Sequence, residues 1–333
     1  MMMRLFRATD PLLRLLVVAI LLAAFLPVSG PQRAVAQDIS DGAIVLLFLL
    51  NGLRLPRREV LHSIGHWHFL LPLIVWCFGV MALAGWGLSA IGRTMLPAEI
   101  ALGLLYLGVM PSTVQSATAY SSLAGGNVTN SVVAAAVINI LGVFMSAPLF
   151  SLIAGSAASG LDLAALGRVT MLLIVPFIIG QLLQGRFGEL ARRHKVLASW
   201  ADRLTIAIAV YVAFSSAVEQ GLWQRVALPD WAIMLALVVP LLGFAFGGAW
   251  LTSGALRLER RDRIAFLFAG GQKSIALGAP LASVLFPPAT AGMILLPLLC
   301  YHLLQLVLSA PLAARLSRQG PVAEPPLPSA SGG

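Results

Sequence analysis

Residues 264–287, IAFLFAGGQKSIALGAPLASVLFP, are long and apolar enough to cross a bilayer, yet they carry Lys273 near their centre. An ammonium at the middle of a continuous membrane helix costs about 2.5–3.5 kcal/mol or more. The lysine sits in Gly270-Gly271-Gln272-Lys273-Ser274, two glycines and three polar residues, with Gly278 and Pro280 close behind. Such a stretch predicts two half-helices meeting at an unwound centre. That backbone is tolerated at membrane depth only where it is buried in protein or lines a polar cavity. A second segment reads the same way: the apolar run 104–110 enters Pro111-Ser112-Thr113-Val114-Gln115-Ser116 and resumes over 117–123. Two interrupted hydrophobic segments in matching halves of a chain point to the binding site of a secondary transporter.

Composition sets the class. With 59% hydrophobic and only 11% charged residues and a mean hydropathy of +0.91, the chain has too little charge to cover a soluble surface. Spans of about 20 residues are expected near 11–29, 39–55, 69–92, 98–123, 127–154, 168–185, 200–218, 230–252, 264–287 and 289–314. The fold class expected is all-α and polytopic, with ten transmembrane helices. The connections leave no room for a soluble catalytic domain, and the Pro- and Ser-rich tail over 319–333 is expected to be disordered. A net charge of +9 would suit nucleic acid, but the arginines fall in short connections between apolar runs, so no nucleic-acid partner is expected. Cys77 and Cys300 lie inside apolar runs, which argues against a disulfide framework.

Charge predicts orientation. With both termini cytoplasmic, most of the 22 Lys and Arg face inward, and only Arg33, Arg93, Arg168 and Arg225 fall outside. A basic start, an apolar run over 12–26 and Ala34-Val35-Ala36 also resemble a signal peptide with its cleavage site. An internal repeat favours retention of the first span. The interruptions near Ser116 and Lys273, the first and sixth spans, and Asp41 and Asp202 are all separated by nearly the same interval. Five spans per unit is odd, so the units 1–160 and 161–318 must insert with opposite orientations, which brings the broken fourth and ninth spans together.

The run PSTVQSATAYSSLAGGNVTNSVVAAAVINILGVFMSAPL resembles the fourth and fifth spans of the bile acid:sodium symporter family, and FAGGQKSIALGAPLASVLF resembles its ninth. LLFLLNGLRLPRREVLHSIGHWHFLLPL is similar to the second-to-third connection of its SBF-like branch. The resemblance implies a panel of spans 1, 2, 6 and 7 against a core of spans 3–5 and 8–10, with the fourth and ninth crossing. It also implies that Ser116, Ser131 and Gln272 are candidate sodium ligands. Ala117, Ala135 and Phe268 depart from that pattern, standing where the symporters have asparagine, threonine and a glutamate shared by both sodium sites.

Lys273 has no evident carboxylate partner within the spans. Three roles remain open: pairing with an anionic substrate, replacing a sodium ion, or cycling between charged and neutral to couple transport to protons. Around it, Ser112, Thr113, Gln115, Ser116, Asn127, Ser131, Asn139, Gln272, Ser274 and His302 complete the candidate substrate and ion site. His62, His66 and His68 lie in a basic connection where an interfacial turn is a better reading than a metal site. Gly271-Gln272-Lys273-Ser274 lacks the glycines of a phosphate-binding loop. No nucleophile–base constellation suggests an enzyme, and no resident cofactor is expected, Na+ or H+ entering only as coupling ion. The expected function is secondary transport of a small organic anion across a bacterial inner or plasma membrane, with lipid as the surrounding partner. A membrane regulator of calcium or cation homeostasis is the alternative.

Overall fold

The computed structural model describes residues 11–55, 67–155 and 163–318, and among these every regular element is a helix. The tail over 319–333 and the histidines at 62 and 66 lie outside the described residues. Eight helices are long and apolar enough to cross a membrane, nine if the bent pair Ala98–Val109 and Val114–Leu123 counts as one span.

The first helix, α1 (Pro11–Phe25), is shorter than the span expected over 11–29. Among the described residues it covers Pro11–Phe25 and ends four residues before the expected limit. Pro27 disfavours helical backbone at the residue before it, and Gly30 at φ +60 turns the chain. α2 (Gln32–Arg54) then begins earlier than expected, placing Ala34–Ala36 inside its N-terminal turns. α3 (Trp67–Gly92) contains a π turn at Val75–Val80. α4a (Ala98–Val109) and α4b (Val114–Leu123) follow, then α5 (Val128–Ala154). α6 runs from Leu163–Val169 through a π turn at Thr170–Ile174 into Val175–Arg193. α7 (Lys195–Glu219) and α8 (Leu228–Ala255) precede α9a (Arg260–Gly271) and α9b (Ile275–Leu285), and α10 (Pro288–Arg318) ends the described chain.

Two packed groups emerge. In one, α2 lies along α6 while α7 packs on both α1 and α2. The α2–α6 approach needs glycine: a Cβ at Gly52 would sit 2.3 Å from the Phe177 carbonyl, and one at Gly180 would sit 2.3 Å from the Leu49 carbonyl. In the other, α3 packs on α4a, α8 on α9a, and α10 against α4a, α8 and α9b. α7 joins the groups by packing on α9b and α10. The most enclosed span is Arg260–Leu285, 94% buried against 22% for α2, so the segment carrying Lys273 forms the centre. Large apolar side chains such as Leu152, Leu182, Leu251 and Val307 point outward, as a lipid-facing surface requires.

Candidate functional site

The two breaks form for different local reasons. Pro111 disfavours helix at Met110 and has no amide hydrogen to continue it, so α4a stops at Val109 and α4b restarts at an angle of 59°. Gly270 and Gly271 are poor helix formers, and Gln272 and Ser274 are extended (ψ 149 and 110). Ser274 restarts α9b by accepting the Leu277 amide on its Oγ at 3.3 Å. The breaks are stitched together where the Ser274 amide donates to the Pro111 carbonyl at 2.8 Å.

A broken helix exposes carbonyls at the C-terminal end of one half and amides at the N-terminal start of the next. Here the carbonyls are met by protein donors. Lys273 Nζ, fully buried, donates to Gly108 O at 2.9 Å, Met110 O at 2.8 Å and Cys77 O at 3.4 Å. Ser146 Oγ donates to Val109 O at 3.0 Å, and Asn139 Nδ2 to Ser112 O at 2.7 Å. On α9a, Trp76 Nε1 donates to Gly270 O at 3.2 Å and the Tyr301 hydroxyl to Gly271 O at 2.5 Å. The π turn of α3 carries Trp76 and Cys77 to this contact, in keeping with the placement of such turns at functional sites.

The amide ends face a cavity of about 310 Å³. Its floor is formed by Thr113–Ser116 and Ser274–Leu277, the first turns of α4b and α9b, with Asn139 and His302 beside them. Apolar walls come from Leu47, Phe48, Ile140, Val143, Phe177 and Ile206. Asn51, Arg54, Asp202 and Arg203 also line it. Arg54 donates to both oxygens of Asp202 at 2.6 and 2.8 Å and to Asn51 Oδ1 at 2.9 Å. Lys273 is not among the lining residues.

Of the residues singled out by sequence, Thr113, Ser116 and Gln272 converge: both hydroxyls donate to Gln272 Oε1, at 2.6 and 2.5 Å. Gln272 Nε2 reaches Ser309 Oγ at 3.2 Å. Ser112, Ser274, Asn139, Gln115 and His302 lie at the breaks or along the cavity. Ser131 is buried on α5, its hydroxyl without a hydrogen-bond partner among the described residues. Asn127 stands apart, capping α5 through Asn130 N at 3.1 Å and donating to Asp262 at 2.8 Å. Phe268 is fully buried and stacks on Tyr120 with ring centroids 5.9 Å apart. Sequence reasoning missed Trp76, Tyr301, Gln305, Ser309 and the Arg54–Asp202 pair. Gln305 and Ser309 could have been found from their spacing after His302, three and seven residues on, which shares a helix face.

The family described as the SBF-like CPA transporter family matches residues 10–318. Among similar proteins, PA2026 of Pseudomonas aeruginosa, named as uncharacterized, is 37% identical over 91% of this chain and 92% of its own. YfeH of Escherichia coli, whose name describes it as a candidate symporter, is 34% identical over 95% of this chain and 96% of its own. Sodium/bile acid cotransporter 7 of Rattus norvegicus is 25% identical over 85% of this chain and 84% of its own.

Proposed function

From the premise that this chain belongs to the SBF-like CPA transporter family, and is an integral membrane transporter rather than an enzyme, we propose that it moves a small organic anion by alternating access. In this reading the ammonium of Lys273 stands in the place of a coupling sodium ion. The observation that carries it is the division of the breaks by charge. Their carbonyl ends are taken up by Lys273, Asn139, Ser146, Trp76 and Tyr301. Their amide ends border the cavity. Two helix N-termini facing one space favour a carboxylate, sulfonate or phosphate, and the apolar walls favour an organic body behind it.

Of the residues nominated for sodium, Ser116 and Gln272 meet each other, Gln272 Oε1 accepting from Thr113 and Ser116, while Ser131 keeps a buried hydroxyl without a partner among the described residues. The three departures weigh against the ion: Phe268 offers no oxygen, and Ala117 and Ala135 are buried methyl groups. Ten spans in two inverted halves, 1–160 and 161–318, with both termini cytoplasmic, is the architecture we infer. The pairing of two similar breaks supports it. On that orientation the Arg54–Asp202 pair of the cavity wall lies toward the cytoplasmic side.

The test is a thermal-shift screen of purified protein against organic anions in sodium chloride and in choline chloride. Stabilisation by an anion in both salts is the expected result. Stabilisation only in sodium would refute the lysine-for-sodium reading, and stabilisation by cations but by no anion would refute the anion reading.

A further inference from the structure

Ala136, Asn139, Ile140 and Val143 of α5 line the cavity. Their spacing puts them on one face of the helix. Leu152, about two and a half turns beyond Val143, points outward on the opposite side. Of the four, only Asn139 is polar, and its amide is pinned. Nδ2 donates to the Ser112 carbonyl at 2.7 Å and to the Ala135 carbonyl at 3.0 Å. Backbone carbonyls only accept, so the atom that meets both must be the nitrogen; the usual ambiguity between amide oxygen and nitrogen is removed. A side-chain amide nitrogen carries two hydrogens, and both are spent.

What remains of the amide is Oδ1. No donor among the described residues meets it. Asn139 is half-buried, and Oδ1 is not one of the enclosed polar atoms that lack a partner, so open space lies before it. On a helix face that borders the cavity, that space is the cavity. Its position relative to the fourth-helix break is fixed as well. Ser112, whose carbonyl Nδ2 holds, directly precedes Thr113, and Thr113 opens α4b without a side-chain cap. An acceptor therefore stands beside a helix start whose first-turn amides are donors.

We propose that Asn139 sets substrate specificity: it turns a fixed acceptor oxygen toward the cavity beside the amide end of α4b, and so selects an acid that carries a neutral O–H or N–H donor close to its acid group. The inference rests on the transport reading above for the acid group and adds the donor next to it. An ether oxygen or a bare methylene in that position leaves Oδ1 unpaired once the substrate has displaced water. Sites built to hydrogen-bond one polar group of a ligand discriminate strongly against analogues that lack it. One buried group left unsatisfied corresponds to about ten- to hundredfold in affinity.

The test has one arm with ligand and one without. Full-length protein in micelles is titrated, by thermal shift, with butanoate, hexanoate and 3-phenylpropanoate, each bearing hydrogen, hydroxyl or methoxy at the second carbon and again at the third. In every skeleton that binds, one hydroxyl form should bind about ten- to hundredfold more tightly than both its parent and its methoxy form. In Asn139→Leu that advantage should vanish. A parent or methoxy form that binds as well as the hydroxyl form in wild type, or an advantage that survives in Asn139→Leu, overturns the proposal. The wild-type ordering decides even where the variant does not fold. In the second arm, nitrogen-15 NMR of asparagine-labelled protein follows the Asn139 side-chain amide, assigned by its absence in Asn139→Leu. Both of its hydrogens should exchange slowly with water, and fast exchange of either overturns the proposal. Should no acid of the set bind, the substrate class falls together with the anion reading, and the exchange result still decides which atom Asn139 turns to the cavity. Binding without a preference for hydroxyl leaves the anion reading standing and removes this inference alone.

Discussion

Replacing Lys273 tests the central assignment through two terms of opposite sign. Loss of the ammonium strips the donor from the Gly108 and Met110 carbonyls, now 2.9 and 2.8 Å away. At about 1–3 kcal/mol for each buried group left unsatisfied, the cost is about 2–6 kcal/mol. The same change relieves the cost of a charge held out of water with no carboxylate bonded to it among the described residues, itself several kcal/mol. The net stability change is thus a poor discriminator, and cation dependence is the sharper one. In Lys273→Ala the vacated space holds three carbonyl oxygens, those of Gly108, Met110 and Cys77, to which water and a monovalent cation can be added. At a sodium concentration one hundred times the dissociation constant, linkage contributes about 2.7 kcal/mol. At about 2–4 °C per kcal/mol for a chain somewhat smaller than this one, that is a rise of roughly 5–10 °C in the melting temperature. In Lys273→Met the thioether fills the space and no rise is expected. The assay is a melting series of wild type and both variants in sodium, potassium and choline chlorides at constant ionic strength. A sodium-specific rise in wild type as large as that in the alanine variant would refute the idea that the lysine occupies the cation's place.

Gly52→Ala places a Cβ 2.3 Å from the Phe177 carbonyl, while Gly42→Ala meets nothing within 4 Å. The first should lower thermal stability by about 1–3 kcal/mol through overpacking and the second should not; equal melting temperatures would contradict the α2–α6 crossing. Arg54→Ala leaves the Asp202 carboxylate unpaired on the cavity wall, where it repels an anionic substrate. We expect the apparent KM for the anion to rise about ten- to hundredfold, one such charge-assisted contact being of order 1.5–3 kcal/mol. Arg54→Ala with Asp202→Ala should recover most of that loss, and an uptake cycle without recovery removes the pair from the site. Hydrogen exchange should show residues 108–113 and 270–275 equally protected with and without sodium, since Lys273 already ties the breaks together; sodium-dependent protection there would contradict this. Gly292→Val drives a Cβ to 2.7 Å from the Ala213 carbonyl, and should lower uptake by prising α10 from α7 without changing exchange at the breaks. Unchanged uptake would show that this contact does not gate the cavity.

The breaks were legible because local chemistry makes them. Proline after Met110 and two glycines before Gln272, each followed by a run of polar residues, favour a stop, and both interruptions fall there. Proline or a glycine pair alone does not suffice, since Pro148, Pro240 and Gly247-Gly248 lie inside helices. The early end of the first helix was partly hidden, because hydropathy continues over 12–26 while the turn is set by Pro27 and Gly30. What Lys273 does was not legible. Its partners are backbone carbonyls on α3 and α4a, and every residue has a carbonyl, so no letter marks those three. Asn127 misled for the reverse reason. Its place in a polar GGN turn beside the crossover resembles a ligand, but the structure uses it to cap α5 and bind Asp262. Asp202 was noticed only as a repeat mark, and its ion pair depends on α2 and α7 lying side by side, a tertiary fact.

The position of Lys273 links coupling to rigidity through one side chain. A sodium ion that ties two broken helices together can leave, and its departure is a natural signal to the rest of a transporter. An ammonium on a covalent stem cannot leave, and here it joins the ninth-helix break to α3 and α4a at once. The Ser274–Pro111 and Gln305–Lys273 peptide contacts hold the same junction from its other sides. Fastened so, the paired breaks move as one body. The relative motion that alternating access demands then falls to the seam between the two helix groups, where α7 packs on α9b and α10 and the start of α6 packs on α9b. In the proposed reading no cation assists, and substrate must itself supply the free energy difference between the two arrangements. The polar groups able to sense it are those the cavity already exposes: the amide ends of α4b and α9b, His302, and the Arg54–Asp202 pair.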